Sequence, residues 1–253
     1  MKSSLRLILL SACVFSFAHA QEPFDESSFK QQAWQIEPQR HAQRFSALPK
    51  SAGPDTSGID ALYYDVNLVI TTGPQNLEGT VTGKFRSVKN GLTHVKLDFD
   101  KSPNWQNFSI AGNAASWTHA GYVLDVQLDR VYNIAESFEL TVHYSGMPSQ
   151  GGFKGFAFDV NQYGNVVIST LSEPFLARTW WPCKDDPSDK ADSVRMSVTV
   201  PDNMLAGSNG LLVANSNNGN GTKTFVWKES YPITTYLVSL AISNYATFSD
   251  RFE

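Results

Sequence analysis

The sequence predicts an all-β fold, a sandwich of mostly antiparallel strands over residues 59–253. Two observations lead to this prediction. From Asp60 onward apolar residues occupy every second position, which is typical of strands with one buried face. Short segments of this kind recur at near-regular spacing, with turn residues between them and no helical periodicity. In the first strand the alternation is between polar or aromatic residues and the apolar series Leu62, Tyr64, Val66, Leu68 and Ile70.

The later strands follow from the same pattern. Segments rich in β-branched and aromatic residues predict strands at 80–88, 94–99, 122–128, 138–144, 165–170, 194–200, 222–227 and 235–242. Glycine, proline and asparagine mark turns at 72–74, 89–91, 145–148, 161–164 and 215–221.

The first 58 residues differ in character from the rest. Lys2 and Arg6 precede an apolar stretch that ends in Ala18-His19-Ala20. These are the three parts of a secretory signal peptide, which we predict over residues 1–20. Residues 21–58 are predicted to form one or two short helices followed by a linker.

Export is expected by either of two routes. A bacterial lipobox ending at Cys13 is the alternative to ordinary signal cleavage, and it would attach a lipid there. Both predict a periplasmic or secreted protein. Beyond the leader Cys183 is the single cysteine, so an internal disulfide is excluded and stability must come from the core.

Composition and charge exclude two classes of function. The 253 residues include 20 basic and 24 acidic side chains, for a net charge of −4. No basic excess is available to neutralise phosphates, so nucleic-acid binding is not expected. No apolar run reaches the roughly 20 residues of a transmembrane helix. The apolar strand near Tyr245 is followed almost at once by Glu253, which suggests a chain cut at a domain edge.

The most informative stretch is the connection at residues 169–192. Trp180 and Trp181 precede a dense series of charges between prolines. Asp186-Pro187 has the form of a helix N-cap followed by proline and predicts one short helical turn. An ordinary connection with packed tryptophans and solvated charges is one interpretation. The carboxylate spacing does not match an EF-hand calcium loop.

A series of short motifs runs in order along residues 60–245. They are Tyr63-Tyr-Asp-Val66, Gly79–Phe85, Tyr144-Ser-Gly-Met-Pro148, Thr170, Glu173, Ala177-Arg178, Trp181-Pro-Cys183, Asp186-Pro187, Lys190-Ala191, Ser208-Asn-Gly210 and Pro232–Leu237. Together they resemble the N-terminal domain of the gluzincin zinc aminopeptidases, the family of membrane alanyl aminopeptidase and the leukotriene-A hydrolases.

The resemblance implies a saddle-shaped β-sandwich packed on a thermolysin-like catalytic domain that hydrolyses N-terminal residues from peptides. It also implies that Thr170–Glu173 lines the substrate entrance, where Glu173 holds the free α-amine of the peptide substrate. Such a charge-assisted hydrogen bond selects free N-termini. Without the resemblance, Glu173 is an exposed acid at a strand end. The family's usual glutamine is Leu171 here, which suggests a preference for apolar first residues or a strand that sits differently.

The resemblance further implies zinc, bound through H-E-x-x-H and a downstream glutamate. The sequence contains no H-E-x-x-H, and the four histidines beyond the leader are scattered, none followed by glutamate. Each is predicted to be a surface or core residue: His41, His94, His119 and His143. We therefore expect the zinc ligands in a missing C-terminal catalytic domain, and this chain to be inactive alone.

Other interpretations remain open. Arg178 is predicted to pair with Asp185 or Asp186, and Cys183 to be a buried structural thiol, since no activating group is visible. A non-catalytic exported module that binds carbohydrate or protein is the alternative function, and a structural module with a decayed site is a third. The carbohydrate hypothesis requires an exposed aromatic row among Trp105, Trp117, Trp180, Trp181 and Trp227.

Overall fold

The all-β prediction is confirmed. The computed structural model describes Thr56 and residues 58–101, 105–148 and 155–247; the predicted leader, lipobox and first helical segment lie outside these residues. The described part forms fourteen strands: β1 Ile59–Thr72, β2 Gln75–Ser87, β3 Leu92–Asp98, β4 Gln106–Gly112, β5 Ala114–Ala120, β6 Val123–Tyr132, β7 Ser137–Gly146, β8 Phe156–Val160, β9 Val166–Thr170, β10 Ser193–Pro201, β11 Leu205–Ser208, β12 Leu211–Asn217, β13 Thr222–Glu229 and β14 Leu240–Ser243.

These strands form three sheets. A seven-stranded sheet has the order β12-β13-β10-β1-β2-β7-β4, a four-stranded sheet the order β11-β14-β9-β8, and a three-stranded sheet the order β3-β6-β5. Neighbouring strands are antiparallel except β1 and β10, which pair in parallel. The chain between β1 and β10 contributes strands to all three sheets and includes the connection at 169–192.

One face of the seven-stranded sheet is buried. In β1 the side chains of Tyr64, Val66, Leu68 and Ile70 are at most 1% exposed. The three-stranded sheet covers part of this face, where the rings of Tyr132 and Phe138 lie 5.0 Å apart between centroids.

The connection joins the four-stranded sheet to the same core. The rings of Phe156 and Trp180 lie 5.9 Å apart between centroids, and the Tyr144 hydroxyl donates to the carbonyl of Trp180 at 2.7 Å. Trp181 packs edge-on against Tyr64 at 5.0 Å. The two tryptophans therefore anchor the connection where the sheets meet.

Two local predictions are wrong. The strand expected at 235–242 begins as a 3-10 helix, Thr235–Leu237, because the amide groups of Leu237 and Val238 donate to carbonyls three residues back. The helical turn expected after Asp186 is a β-turn, in which the Asp189 amide donates to the Asp186 carbonyl at 3.1 Å. Five strands were not predicted from the sequence, because their apolar alternation is weak or their segment is short: β4, β5, β8, β11 and β12.

Candidate functional site

A groove of about 360 Å³ opens where the connection leaves the four-stranded sheet. One wall comes from the end of β9, and the other from the segment before β14. Its lining residues are Thr170, Leu171, Ser172, Glu173, Asn209, Ile233, Tyr236, Leu237 and Ser239. Both residues predicted to contact substrate, Leu171 and Glu173, thus lie in this groove.

Buried Ser172 fixes the first wall. Its hydroxyl accepts a hydrogen bond from the Trp180 indole at 3.0 Å, and its carbonyl accepts one from the Leu176 amide at 2.8 Å. Ser172 is only 3% exposed, whereas Leu171 on one side of it is 48% exposed and Glu173 on the other is also exposed. The chain therefore buries one side chain and leaves its two neighbours at the groove.

Glu173 is a free carboxylate within the described part of the chain. No described side chain or amide forms a hydrogen bond or an ion pair with it, and a cis peptide bond joins it to Pro174. An exposed carboxylate beside apolar Leu171 can accept hydrogen bonds from a ligand cation.

The second wall is the 3-10 helix Thr235–Leu237 and the residues that follow it. Asn209 donates to the Leu237 carbonyl at 3.0 Å and accepts from the Ser239 amide at 2.7 Å. Sequence reasoning assigned no role to this wall. The motifs Ser208-Asn-Gly210 and Pro232–Leu237 contributed to the resemblance, but neither carries a conspicuous reactive group.

A buried polar network lies next to the groove. Asp98 and Arg178 form an ion pair with a 3.7 Å separation, and their side chains are 2% and 5% exposed. Asp98 also accepts from the Asp185 amide at 3.0 Å, and Asp185 accepts from the Thr235 hydroxyl at 2.7 Å. The ion pair of Arg178 is therefore with Asp98 and not with the predicted Asp185 or Asp186, although Arg178 also interacts favourably with the Asp185 carboxylate.

Desolvation controls the ionisation of this network. Burial raises the pKa of Asp98 to about 6 and that of Asp185 to about 7, against the favourable effect of the Arg178 guanidinium. Burial also raises the pKa of the Cys183 thiol well above its usual range. The prediction that Cys183 is a buried structural thiol is confirmed.

Lys184 belongs to the interior as well. Its ammonium donates to the Ile59 carbonyl at 2.7 Å and pairs with Asp189, and its backbone amide donates to the Tyr64 hydroxyl at 2.9 Å. Part of the charge run predicted to face water is thus buried, and it ties the connection to the start of β1.

Burial also bears on the carbohydrate hypothesis. Trp180 and Trp181 are fully buried, and Trp105 and Trp227 donate their indole N–H groups to the carbonyls of Asp100 and Ala206. Trp117 is 39% exposed and packs edge-on against Phe108. These side chains do not form a flat exposed row.

The described histidines have local partners. His119 stacks on Phe99 and bonds to its carbonyl at 2.8 Å, and His143 bonds to Thr80 at 2.9 Å. Among the described residues, no group of three or more histidine, cysteine or acidic side chains could hold a metal ion. No helix in the described ranges is long and apolar enough to cross a membrane.

Comparisons with known proteins agree with this architecture. The family model of the peptidase M1 N-terminal domain matches residues 60–237. Leucine aminopeptidase 2 of Vanderwaltozyma polyspora is 32% identical over 188 residues, which are 70% of this chain and 27% of that protein. Glutamyl aminopeptidase of Bitis rhinoceros is 23% identical over 202 residues, 74% of this chain and 20% of that protein.

Solved structures give the same result. A mutant M1 zinc metallopeptidase from Deinococcus radiodurans, bound to a Tyr-Ser-Ala substrate, is 28% identical with a TM-score of 0.63 over 73% of this chain. This chain covers 42% of that structure, so it spans less than half of each relative described here. The chain belongs to the peptidase M1 family and contains its N-terminal domain.

Proposed function

We propose that this chain is the N-terminal, substrate-entrance domain of an exported zinc aminopeptidase, and that Glu173 binds the free α-amine of the peptide substrate. The observation that supports this most directly is the position of Glu173. It is an exposed carboxylate, free of partners among the described residues, in a groove of about 360 Å³.

The groove suits the end of a peptide better than its middle. The α-ammonium group of a peptide forms a charge-assisted hydrogen bond with a carboxylate, whereas an internal amide offers only a neutral N–H. Leu171 lies at most about 7.6 Å along the chain from Glu173 between Cα atoms. An apolar first residue could therefore contact Leu171 while its amine binds Glu173.

The described residues of this chain do not offer a zinc site. The sequence lacks H-E-x-x-H, and the described histidines are engaged with Phe99 and Thr80 or lie at the surface, as His94 does. We place the zinc and the hydrolytic step in a part of the protein outside these 253 residues. The signal peptide predicted over residues 1–20 supports export.

The first test is the size and activity of the native polypeptide, detected in the source cell with an antibody against residues 60–245. We expect a species much longer than 253 residues that contains zinc and hydrolyses aminoacyl anilides. A species no longer than the 253-residue chain, without hydrolytic activity, would overturn the enzyme assignment.

The second test is Glu173→Gln in that native polypeptide. We expect KM for an aminoacyl anilide to rise about tenfold, because the neutral amide loses the ionic part of the contact with the substrate amine. Glu78→Gln is the matched control, since Glu78 is also an exposed glutamate but lies on β2, away from the groove. Equal KM values for the two variants would show that Glu173 does not bind the amine.

A further inference from the structure

The wall of the groove opposite Leu171 contains a second exposed leucine. Leu237, at the end of the 3-10 helix, is 48% exposed and lines the same groove as Leu171 and Glu173. We propose that Leu237 is a specificity-determining residue, which together with Leu171 selects an apolar side chain on the first residue of the peptide. This inference rests on the proposed function.

The position of Leu237 is fixed on its C-terminal side. The Asn209 side chain spans two backbone groups of this wall, since its amide nitrogen donates to the Leu237 carbonyl and its oxygen accepts from the Ser239 amide. The Ser208 hydroxyl donates to the Ser239 carbonyl at 2.8 Å, and the Leu240 amide donates to the Thr170 hydroxyl at 2.8 Å. The last bond ties the second wall directly to the first.

Gly210 permits the tight turn that directly follows Asn209. Gly210 has φ +80°, a conformation that favours glycine, and an added Cβ would lie 2.1 Å from the Lys228 carbonyl oxygen. The tight reversal between β11 and β12 therefore requires glycine.

The N-terminal side of the wall is fixed as well. The Thr235 hydroxyl donates to buried Asp185 at 2.7 Å, and Ile233 forms an isolated β-bridge with Ala191. Both anchors belong to the buried part of the connection. The backbone that carries Leu237 is thus held on both sides, so little backbone ordering is required when a ligand binds.

The chemistry of the two walls is complementary to an apolar amino-terminal residue. Leu171, Leu237 and the largely buried Ile233 supply apolar surface, while Glu173 supplies the only carboxylate among the residues that line the groove. An apolar substrate side chain that fills the space beside these residues removes its own apolar surface and theirs from water.

The test is substrate selectivity in the native zinc-containing polypeptide. We compare kcat/KM for leucyl and alanyl p-nitroanilides in Leu237→Asn, with Leu237→Met as the matched control that keeps an apolar side chain of similar size. Leu237→Asn is expected to lower the leucyl-to-alanyl ratio about tenfold, and Leu237→Met to change it less than about twofold. Because Leu237 is half exposed, neither change removes a core side chain.

The other outcomes separate the two proposals. If Glu173→Gln raises KM but Leu237→Asn leaves the leucyl-to-alanyl ratio unchanged, the inference about Leu237 is wrong and the proposed function stands. An equal fall for both substrates in Leu237→Asn also overturns it, since that result describes a structural role. If the wild-type polypeptide hydrolyses neither anilide, the proposed function fails first.

Discussion

The connection between β9 and β10 contains two adjacent regions, one with an exposed carboxylate and one with buried charged side chains. At its start, Leu171 and Glu173 are exposed, and the Glu173 carboxylate has no partner among the described residues. A few residues later, Arg178 and Asp185 are buried beside Asp98. The region with more charges is therefore the structural one, and the sparsely charged region forms the groove.

The difference reflects the energy of burial. A buried charge is retained only when a partner of opposite sign or several hydrogen bonds offset its lost hydration. Hydrogen bonding in the buried network is incomplete. Three of its atoms have no hydrogen-bond partner within the described residues: Asp98 Oδ1, Arg178 Nη1 and Asp185 Oδ2. Glu173 keeps its hydration until a ligand replaces the water.

Breaking the buried ion pair is expected to have the largest effect on stability. Arg178→Ala leaves Asp98 buried without its cation and removes the guanidinium that lies 4.3 Å from the Tyr122 ring centroid. The free energy of unfolding should fall by about 3–5 kcal/mol at pH 8. Urea denaturation of the 253-residue chain measures this fall.

Exposed Lys190 supplies the control for this experiment. Lys190→Ala removes a cation from the same connection, and it should change the free energy of unfolding by less than about 0.5 kcal/mol. If Arg178→Ala and Lys190→Ala shift the urea midpoint equally, the ion pair contributes nothing specific to the fold.

The pH dependence of stability gives the next effect in size. Asp98 and Asp185 have pKa values raised to about 6 and about 7, above those of the unfolded chain, so the folded protein holds protons that the unfolded chain has released. Arg178 opposes the rise at both groups, and the Asp98 carboxylate adds to the rise in the pKa of Asp185. The two groups therefore make stability fall as pH rises from about 4 to about 7, and their contribution levels off above that.

Asp185→Asn isolates this contribution. The variant should lose about two-thirds of the decline in unfolding free energy between pH 5 and pH 8, because the pKa of about 7 makes Asp185 contribute over about two pH units and the pKa of about 6 makes Asp98 contribute over about one. Asp202→Asn, at an exposed position after β10, should keep the full decline. A rise in the stability of the wild-type chain over this pH range, measured by urea midpoints, would contradict the assignment.

The sequence predicted the fold class because the alternation in β1 directly reflects one buried face. It also placed Leu171 and Glu173 at a site, through resemblance, and both line the groove. It could not predict the second wall. Thr235–Leu237 has strand-like composition, and Thr235 in its helical turn bonds to Asp185, which is distant in sequence and outside any local pattern.

The burial of the charge run could not be predicted for a similar reason. Lys184 and Asp185 belong to a polar segment, and polar segments are usually solvated. Their burial depends on partners distant in sequence: the Ile59 carbonyl for Lys184, and the Asp98 carboxylate for the Asp185 amide. Long-range pairing of this kind becomes visible only in the folded structure.

Two adjacent threonines, Thr234 and Thr235, test how the groove is connected to the buried network. Both are buried, but the Thr235 hydroxyl donates to Asp185, whereas the Thr234 hydroxyl has no hydrogen-bond partner among the described residues. Thr235→Val should therefore lower the free energy of unfolding by about 1–2 kcal/mol, because it leaves Asp185 Oδ1 without its donor. Thr234→Val should be neutral or slightly stabilising, since it removes a buried hydroxyl that makes no bond.

The same pair also reports on the groove. If Asp185 positions the second wall through Thr235, Thr235→Val should lower the leucyl-to-alanyl selectivity of the native polypeptide in the same direction as Leu237→Asn, and to a smaller extent. Thr234→Val should leave that ratio unchanged. Loss of stability in Thr235→Val without any change in selectivity would show that the bond to Asp185 is not needed to position the wall, and that the buried network serves the core and not the groove.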